Sequence, residues 1–274
     1  MAKIAVIGLG IIGGSICASL SKAGYAVDGA DLNAKTIDTA RQKGYILNKA
    51  QNLADYDVVF IAVPPKATIS ILENSSFKDG AIVADICGIK SAIEQCVLSK
   101  SRNYRYVGIH PMAGKETSGI DSASPDLFNN ANLVITISKN TDKNALSEIK
   151  SYANAMRFGR IVECTAEEHD KKIALTSQLA HIVSNAYVKS PQVKNCKGFT
   201  GGSFQDMTRI AGVDENIWTE LYMGNREFIL EELDGLIEQL SIYREALANQ
   251  DEEALSIALK DGRLIRQNIK YKRS

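Results

Sequence analysis

The sequence predicts an N-terminal α/β domain with a doubly wound parallel sheet, followed by an all-α C-terminal domain. Short apolar runs alternate with helical stretches up to about residue 163. The strongest of these runs, at 58–63, carries no polar residue, which is typical of a strand buried on both faces. After residue 164 the pattern is helical to the end of the sequence. We therefore predict two domains, at 1–163 and 164–274.

The elements of the first domain follow from these runs. Strands are predicted at residues 3–8, 26–31, 57–63, 81–85, 106–109, 133–137 and 160–163. Helical stretches at 12–23 and 34–43 are each followed by a glycine, Gly24 and Gly44, where a helix commonly ends. Strands that alternate with helices form βαβ units, and these units build a parallel sheet.

Helix signals define the second domain. Thr165 and Glu168 have the spacing of a capping box, which opens a long helix. Breaks are expected near 190–203 and at Gly212, and Asn249-x-x-Glu252 predicts a further helix start. One apolar face recurs at helical spacing in Ile229, Leu233, Leu236, Ile237, Leu240, Tyr243 and Leu247.

Composition excludes several classes of protein. Hydrophobic residues make up 45% and charged residues 23% of the chain, as in a globular protein. Lysine plus arginine equals aspartate plus glutamate, 32 each, so the net charge gives no attraction to nucleic acid or to an anionic membrane. Glycines interrupt the apolar N-terminus, which argues against a signal peptide or a membrane span.

Cysteine usage points to a reducing compartment. The five cysteines form no CxxC pair and no Cys/His cluster at zinc spacing. We therefore expect no disulfide framework, no metal site and a cytoplasmic location.

The first predicted strand runs into a dinucleotide-binding motif. Gly8-Leu9-Gly10-Ile11-Ile12-Gly13 is a GxGxxG pattern between a strand and a helix, the context that makes it a Rossmann-type fingerprint. Gly8 would allow the tight turn, Gly10 the approach of a pyrophosphate, and Gly13 close packing of helix and strand. The candidate cofactor-binding residues are Gly8, Gly10, Ile11, Ile12, Gly13, Asp31, Val63 and Pro64.

Asp31 indicates which dinucleotide binds. It lies 18 residues after Gly13 at the end of the second predicted strand, where an acid bonds the adenosine ribose hydroxyls. A carboxylate there repels a 2′-phosphate, and no arginine follows it. The sequence therefore favours NAD over NADP.

His110 is the first candidate for acid–base chemistry. It follows the strand at 106–109, and ligands of open α/β sheets bind beyond the carboxyl ends of strands. A neutral imidazole there can accept the proton of a substrate hydroxyl as hydride leaves. The residues alone leave open a structural alternative, in which His110 binds a loop carbonyl.

Three further residues have open roles. His181 shares a helix face with Ser177, although packing is the more common role of a helix histidine. His169 is expected at the surface or one layer behind a substrate site. Arg209 follows a glycine-rich turn at 201–202, where its guanidinium can bind a substrate carboxylate or pair with an acidic side chain.

The order of these segments resembles the prephenate dehydrogenase family of tyrosine and aromatic amino acid biosynthesis. The resemblance covers nearly the whole chain. It rests on the segments GLGIIGGS from Gly8, AVPP at 62–65, HPMAGKETSG at 110–119, Asp126-Leu127-Phe128, SQLAH at 177–181 and GGSFQDMTRIA at 201–211.

The resemblance implies a reaction and the roles of four residues. The reaction is the oxidative decarboxylation of prephenate to 4-hydroxyphenylpyruvate, with NAD as the cofactor. His110 matches the family's catalytic histidine, and Arg209 matches its substrate-carboxylate arginine. His181 and Glu116 match residues at the substrate entrance and pocket. The resemblance also implies a homodimer formed through the helical domain.

One position departs from the family pattern. Many relatives have Asp-x-Gly-Ser-x-Lys where this chain has Asp85-Ile86-Cys87-Gly88-Ile89-Lys90. Gly88 therefore replaces a serine near the catalytic histidine and the nicotinamide. Cys87, a backbone N–H or a water molecule is left as its substitute.

Three alternatives remain at this point. Arogenate dehydrogenase performs the same chemistry on a substrate whose side chain carries an amino group. A two-domain hydroxyacid or imine reductase would need a catalytic lysine or aspartate in the helix after residue 165, where Lys171 and Lys172 lie. A non-catalytic NAD-sensing protein would bind the cofactor without turnover.

Overall fold

A computed structural model of the protein describes residues 2–114 and 117–269. The chain divides into two compact units, Met1–Asn225 and Arg226–Ser274. Within the described residues, no helix is long and apolar enough to cross a membrane.

The first unit is built on one seven-stranded sheet with the order β2-β1-β3-β4-β5-β6-β7. In chain order, strands β1 to β7 are Ile4–Ile7, Val27–Ala30, Val58–Ile61, Ile82–Asp85, Arg105–Met112, Asn132–Thr136 and Arg160–Cys164. Each lies within or close to one of the predicted runs. Because β1 to β5 are parallel, their carboxyl ends meet at one edge of the sheet.

The direction of the chain reverses once, between β5 and β6. These two strands pair antiparallel, with His110 opposite Val134, and β7 then runs parallel to β6. The described part of the connection between them holds one short 3₁₀ turn, Ile120–Ser122, and no α-helix. A parallel pairing needs a crossover that is usually helical, so this connection returns the chain antiparallel.

Helices of the first unit cover both faces of the sheet. In chain order, helices α1 to α11 are Ile11–Lys22, Ala34–Gln42, Pro65–Asn74, Ser91–Leu98, Lys143–Ala155, Ala166–Ile173, Ala180–Tyr187, Gly202–Thr208, Glu215–Gly224, Arg226–Ala248 and Glu252–Asn268. Alternate residues of a strand join different apolar layers: Val6 and Phe60 lie in one, Ala5 and Val59 in the other. This two-sided burial explains why the strands are continuous apolar runs.

The helical stretch after β7 begins where the capping box predicts. The Thr165 hydroxyl accepts a hydrogen bond from the Glu168 N–H, at 3.1 Å. A π-helical turn over Ala174–Leu179 joins α6 to α7. Such turns occur often at functional sites.

The second unit contains helices α10 and α11, which pack against each other, and the Tyr243 hydroxyl of α10 donates to the Ala258 oxygen of α11 at 3.3 Å. Helix α11 begins two residues later than predicted: Asp251, rather than Asn249, caps it by accepting from the Ala254 N–H. Large apolar side chains are exposed along both helices, and they include Ile237, Leu240, Leu247, Ile257 and Ile265.

Candidate functional site

The turn between β1 and α1 needs glycine at two positions. Gly8 has a φ of +88°, and a Cβ there would lie 2.3 Å from the Ala62 carbonyl oxygen. A Cβ on Gly13 would lie 1.9 Å from the Gly8 oxygen. A Cβ on Gly10, in contrast, would meet nothing within 4 Å. Gly8 and Gly13 therefore allow the turn to pack closely on the sheet, and Gly10 leaves space for a ligand to approach the backbone.

The amino end of α1 borders a cleft of about 250 Å³. Gly10 is its N-cap residue and supplies no side-chain hydrogen bond, so the first-turn N–H groups stay available for an anion. Four of the predicted cofactor residues besides the glycines line this cleft: Ile11, Ile12, Val63 and Pro64. The cleft fits a dinucleotide pyrophosphate at a helix amino terminus.

Asp31 directly follows β2, beside the glycine-rich turn. Its Oδ2 accepts the Leu9 N–H at 2.8 Å, and its Oδ1 accepts the Asn33 N–H at 2.9 Å. Each carboxylate oxygen keeps a lone pair beyond these bonds. The carboxylate is thus held beside the turn that would bind the pyrophosphate, within reach of the adjacent adenosine ribose.

A second cavity of about 510 Å³ adjoins the cofactor cleft, because Ile11 and Ile217 line both. It brings together three of the predicted site residues. Its polar and aromatic lining includes His110, Ser177, His181, Arg209, Asp214 and Trp218. Glu116, the third predicted substrate-binding residue, lies outside the described residues.

His110 stands near the end of β5, on the edge where the carboxyl ends of the parallel strands meet. Its Nδ1 lies 2.8 Å from the Nε2 of His169. Burial, His169 and Lys90 hold the pKa of His110 well below its usual value of 6.5. The imidazole is therefore neutral at neutral pH, the form that accepts a proton.

His169 lies one layer behind the cavity, so the alternative of a surface position is wrong. It is buried on α6, and its Nδ1 lies 2.7 Å from Asp170 Oδ1. Asp170 in turn accepts the backbone N–H groups of Lys90 and Ser91, both at 2.8 Å. Helix α6 thereby fixes both the imidazole of His110 and the loop after β4.

A buried ion pair lies beneath this loop. Lys90 Nζ is 2.6 Å from Asp85 Oδ1, and both side chains are fully buried. The Tyr106 hydroxyl donates to the other oxygen, Asp85 Oδ2, at 2.5 Å. Because a buried charge needs a partner, the pair anchors the loop that carries Cys87 and Gly88.

The Cys87 thiol contacts groups other than His110. Its Sγ lies 3.2 Å from the Thr68 hydroxyl and 3.5 Å from the Val63 carbonyl oxygen, so its polar contacts are to those groups. Burial raises the pKa of the Cys87 thiol to about 12. Position 88 is the one that faces His110, since a Cβ on Gly88 would lie 3.8 Å from His110 Nε2.

Helix α7 holds the segment that carries Arg209. Three side chains at i, i+3 and i+4 bind three of the backbone carbonyls of residues 207–211. His181 Nδ1 lies 2.8 Å from the Ile210 oxygen, Ser184 donates to the Met207 oxygen at 2.7 Å, and Asn185 donates to the Ala211 oxygen at 3.1 Å. The guanidinium of Arg209 is thus placed at the cavity by its neighbours' backbone.

His181 also packs on an aromatic ring. The ring centroids of His181 and Trp218 are 4.0 Å apart. Burial and the charge of Arg209 lower the pKa of His181, although its hydrogen bond to Ile210 works against this. A carbonyl acceptor at Nδ1 means that Nδ1 carries the proton, which leaves Nε2 for the cavity side of the ring.

Other chemistries find less support here. Lys172 is exposed and pairs with Glu168 at the surface of α6, and Lys171 is exposed as well. Neither lines the cavity, as the lysine of the reductase alternative would. Among the described residues, no group of three His, Cys, Asp or Glu side chains is placed to hold a metal ion.

Sequence reasoning missed two features of the site. The first is the line of contacts from Asp170 through His169 to His110, which joins two segments 59 residues apart. The available signal in the sequence was the His169-Asp170 pair directly after the capping box. Trp218, the one tryptophan of the chain, was not singled out.

The cleft for a dinucleotide and the adjoining cavity with its neutral imidazole define the class of a dinucleotide-dependent dehydrogenase. Two family models match the chain: the prephenate dehydrogenase nucleotide-binding domain over residues 16–162, and the prephenate dehydrogenase dimerization domain over residues 165–261. The chain therefore belongs to the prephenate dehydrogenase family, and it is an NAD-dependent oxidoreductase.

Individual relatives agree with this assignment. A prephenate dehydrogenase of Lactococcus lactis is 30% identical, over 97% of this chain and 77% of its own length. The A. aeolicus prephenate dehydrogenase, solved with hydroxyphenyl propionate and NAD⁺, is 27% identical with a TM-score of 0.86, covering 98% of this chain and 99% of that one. Synechocystis arogenate dehydrogenase is 26% identical with a TM-score of 0.77, covering 97% and 99%.

Proposed function

We propose that this chain converts prephenate and NAD⁺ to 4-hydroxyphenylpyruvate, CO₂ and NADH. The observation that carries the proposal is the single cavity shared by His110 and Arg209, which adjoins the glycine-rich cleft through Ile11 and Ile217. Substrate hydroxyl, substrate carboxylate and cofactor each have a matching group there. Bound NAD⁺ supplies the acceptor for the hydride.

His110 is proposed as the catalytic residue that accepts a hydrogen bond, and then the proton, from the ring hydroxyl. As hydride leaves the carbon that bears this hydroxyl, the oxygen becomes a carbonyl oxygen and its proton passes to the imidazole. Loss of the ring carboxylate as CO₂ then makes the ring aromatic. The phenolic oxygen takes the proton back, so the overall reaction releases no proton.

Arg209 is proposed to bind a carboxylate of prephenate. A guanidinium can hold a carboxylate through two parallel hydrogen bonds. The side-chain carboxylate is the better partner, because tight binding of the ring carboxylate would oppose its departure as neutral CO₂. His181 and Glu116 are proposed to contact the substrate at the entrance of the same cavity.

The domain division and the oligomer are also proposals. We place the NAD-binding domain at 1–163 and the helical substrate-binding and dimerisation domain at 164–274, which puts their boundary before Cys164, the last residue of β7. The exposed leucine and isoleucine side chains of α10 and α11 support a homodimer of this chain. Analytical ultracentrifugation tests this, and a monomer at micromolar concentration would contradict it.

One assay tests the reaction. NADH formation is followed by absorbance with prephenate and with arogenate, each with NAD⁺ and with NADP⁺. We expect NADH formation with prephenate and NAD⁺, and its loss in His110→Asn. Binding of NAD⁺ without turnover of either substrate would favour the non-catalytic NAD sensor.

Arogenate is the second candidate substrate, favoured by Asp214. This acidic residue lines the substrate cavity, where its carboxylate can pair with the ammonium group that arogenate carries and prephenate lacks. Its Oδ1 accepts the Asn216 and Ile217 N–H groups, which fixes its place at the start of α9. A higher kcat/KM for arogenate than for prephenate in the same assay would decide for this candidate.

A cytoplasmic location remains a prediction from cysteine usage.

A further inference from the structure

We propose that His169 and Asp170 are positioning residues for His110: they hold its ring as the tautomer with a proton on Nδ1 and a bare Nε2, and they share the proton that the ring accepts. The geometry of three side chains in line carries this proposal, with Asp170 Oδ1 2.7 Å from His169 Nδ1 and His169 Nε2 2.8 Å from His110 Nδ1. The part about the accepted proton rests on the proposed function; the part about the tautomer does not.

The line of contacts begins with an acceptor. Asp170 accepts the Lys90 N–H on Oδ1 and the Ser91 N–H on Oδ2. Burial alone would raise the pKa of Asp170, but hydrogen bonds from His169 and Ser91 hold it below its usual value. Because an ionised carboxylate can only accept, His169 must present a proton on Nδ1.

The proton positions then follow in sequence. Burial and Lys90 lower the pKa of His169, although Asp170 works against them, so His169 is neutral at neutral pH. A neutral ring with a proton on Nδ1 has a lone pair on Nε2. His110 Nδ1 must therefore donate to it, and the neutral ring of His110 has its lone pair on Nε2. That nitrogen faces Gly88, which lines the cofactor cleft.

The charged groups packed around the two rings favour a positive charge on His169 rather than on His110. Asp85 on β4 is already paired with Lys90 of the following loop, and Tyr106 on β5 donates to the same carboxylate. Asp170 is the acid in direct contact with the histidine pair. A proton that arrives on the rings is therefore best placed on His169, beside Asp170.

The proposed step moves two protons, one from the substrate to His110 and one from His110 to His169. The substrate O–H bond breaks, and the proton forms a new N–H bond at His110 Nε2. The proton of His110 Nδ1 passes to His169 Nε2, so that the positive charge lies next to the Asp170 carboxylate. When the ring becomes aromatic, both protons return along the same path, and no oxidant beyond the NAD⁺ of the proposed reaction is needed.

Nitrogen NMR of the whole enzyme, without substrate, tests the tautomer directly. The chain has three histidines, so ¹⁵N-histidine labelling gives six ring nitrogens to assign. We expect His110 and His169 each to carry the proton on Nδ1 and to have a bare Nε2 at neutral pH. A proton on Nε2 of His110 would overturn the proposal, whatever substrate the enzyme turns over.

Two variants of His169 separate positioning from packing. His169→Leu removes the acceptor, and we expect kcat to fall by about 10²-fold or more, with an Nε2-protonated population of His110 in the NMR spectrum. In His169→Gln the side-chain oxygen can accept from His110 Nδ1, and we expect kcat within about tenfold of wild type and the wild-type tautomer. KM for NAD⁺ should change little in both.

Ile173→Val is the matched control, because it opens a small cavity on the same helix without touching the histidines. We expect the wild-type tautomer and nearly wild-type kcat. Equal kcat in wild type and His169→Leu, or equal losses in the Leu and Gln variants, would contradict the proposal. If His169→Leu does not fold, the wild-type spectrum and the Gln variant still decide it. The wild-type tautomer without any turnover of prephenate would contradict the proposed substrate instead.

Discussion

Gly88 lies against the Nε2 edge of the His110 ring: a Cβ built on Gly88 would be 3.8 Å from both Nε2 and Cε1 of the imidazole. The same atom would lie 3.5 Å from Leu221 Cδ2, and all three separations are ordinary van der Waals contacts. A small side chain therefore fits at this position, where relatives of the family carry serine.

Gly88→Ser should fold normally and keep kcat/KM within about tenfold of wild type, because its hydroxyl reaches His110 Nε2 without displacing Leu221. Gly88→Val should lose considerably more, since its second methyl group must enter space beside the imidazole. Steady-state kinetics on both variants makes the comparison. Equal losses would mean that position 88 tolerates no side chain at all.

The acid limb of the pH profile should lie well below pH 6.5. Only neutral His110 accepts the hydroxyl proton, and its pKa is held low by burial, His169 and Lys90. We therefore expect kcat/KM to be flat from about pH 6.5 to 8 and to fall only at lower pH.

His110→Asn should lower kcat by roughly 10²- to 10⁴-fold with NAD⁺ affinity unchanged. Near-wild-type turnover in this variant would exclude His110 as the base.

Arg209→Ala and Arg209→Lys should both raise KM for prephenate, by roughly 30-fold or more, and leave NAD⁺ binding almost unchanged. Lysine retains the charge but cannot form the two parallel bonds of a guanidinium. Substrate saturation curves and separate NAD⁺ titrations measure the two effects. A wild-type KM in both variants would show that another group holds the carboxylate.

Asp31→Ala should weaken NAD⁺ binding by roughly tenfold or more and NADP⁺ binding by less. The carboxylate is held beside the glycine-rich turn by the Leu9 and Asn33 N–H groups, so the alanine variant also loses those bonds. Asp31→Asn is the matched control, because its oxygen can keep one of them while the charge is gone. Calorimetric titration of both cofactors checks this, and a wild-type preference for NADP⁺ would refute the role of Asp31.

Lys90→Met should destabilise the fold by about 3–5 kcal/mol, because it leaves the buried Asp85 carboxylate without its cation. An exposed pair provides the control: Lys78 lies 2.6 Å from Asp57, with side chains 52% and 37% exposed. Lys78→Met should cost no more than about 1 kcal/mol. Denaturant unfolding compares the two, and equal costs would contradict a special role for burial.

Strands β1, β3 and β4 were predictable because they are apolar runs buried on both faces. Gly8 and Gly13 were predictable because a side chain at either position would collide with backbone atoms in or beside that turn. The reversal at β6 was not predictable from periodicity, which carries no information about strand direction. Lys90 is charged in the sequence yet fully buried, because its partner Asp85 folds against it. His169 likewise became part of the site only through contact with a strand 59 residues away.

The π-helical turn between α6 and α7 sets the phase of one helix against the other. Each residue of an α-helix advances about 100° around its axis, so a one-residue deletion within Ala174–Leu179 would turn His181 away from its present direction relative to His169. Insertions and deletions in this segment are therefore not neutral in the way that surface-loop length changes are. An alignment of relatives should place no gap here, and a design that regularises this helix would separate the support of the base from the lining of the substrate cavity.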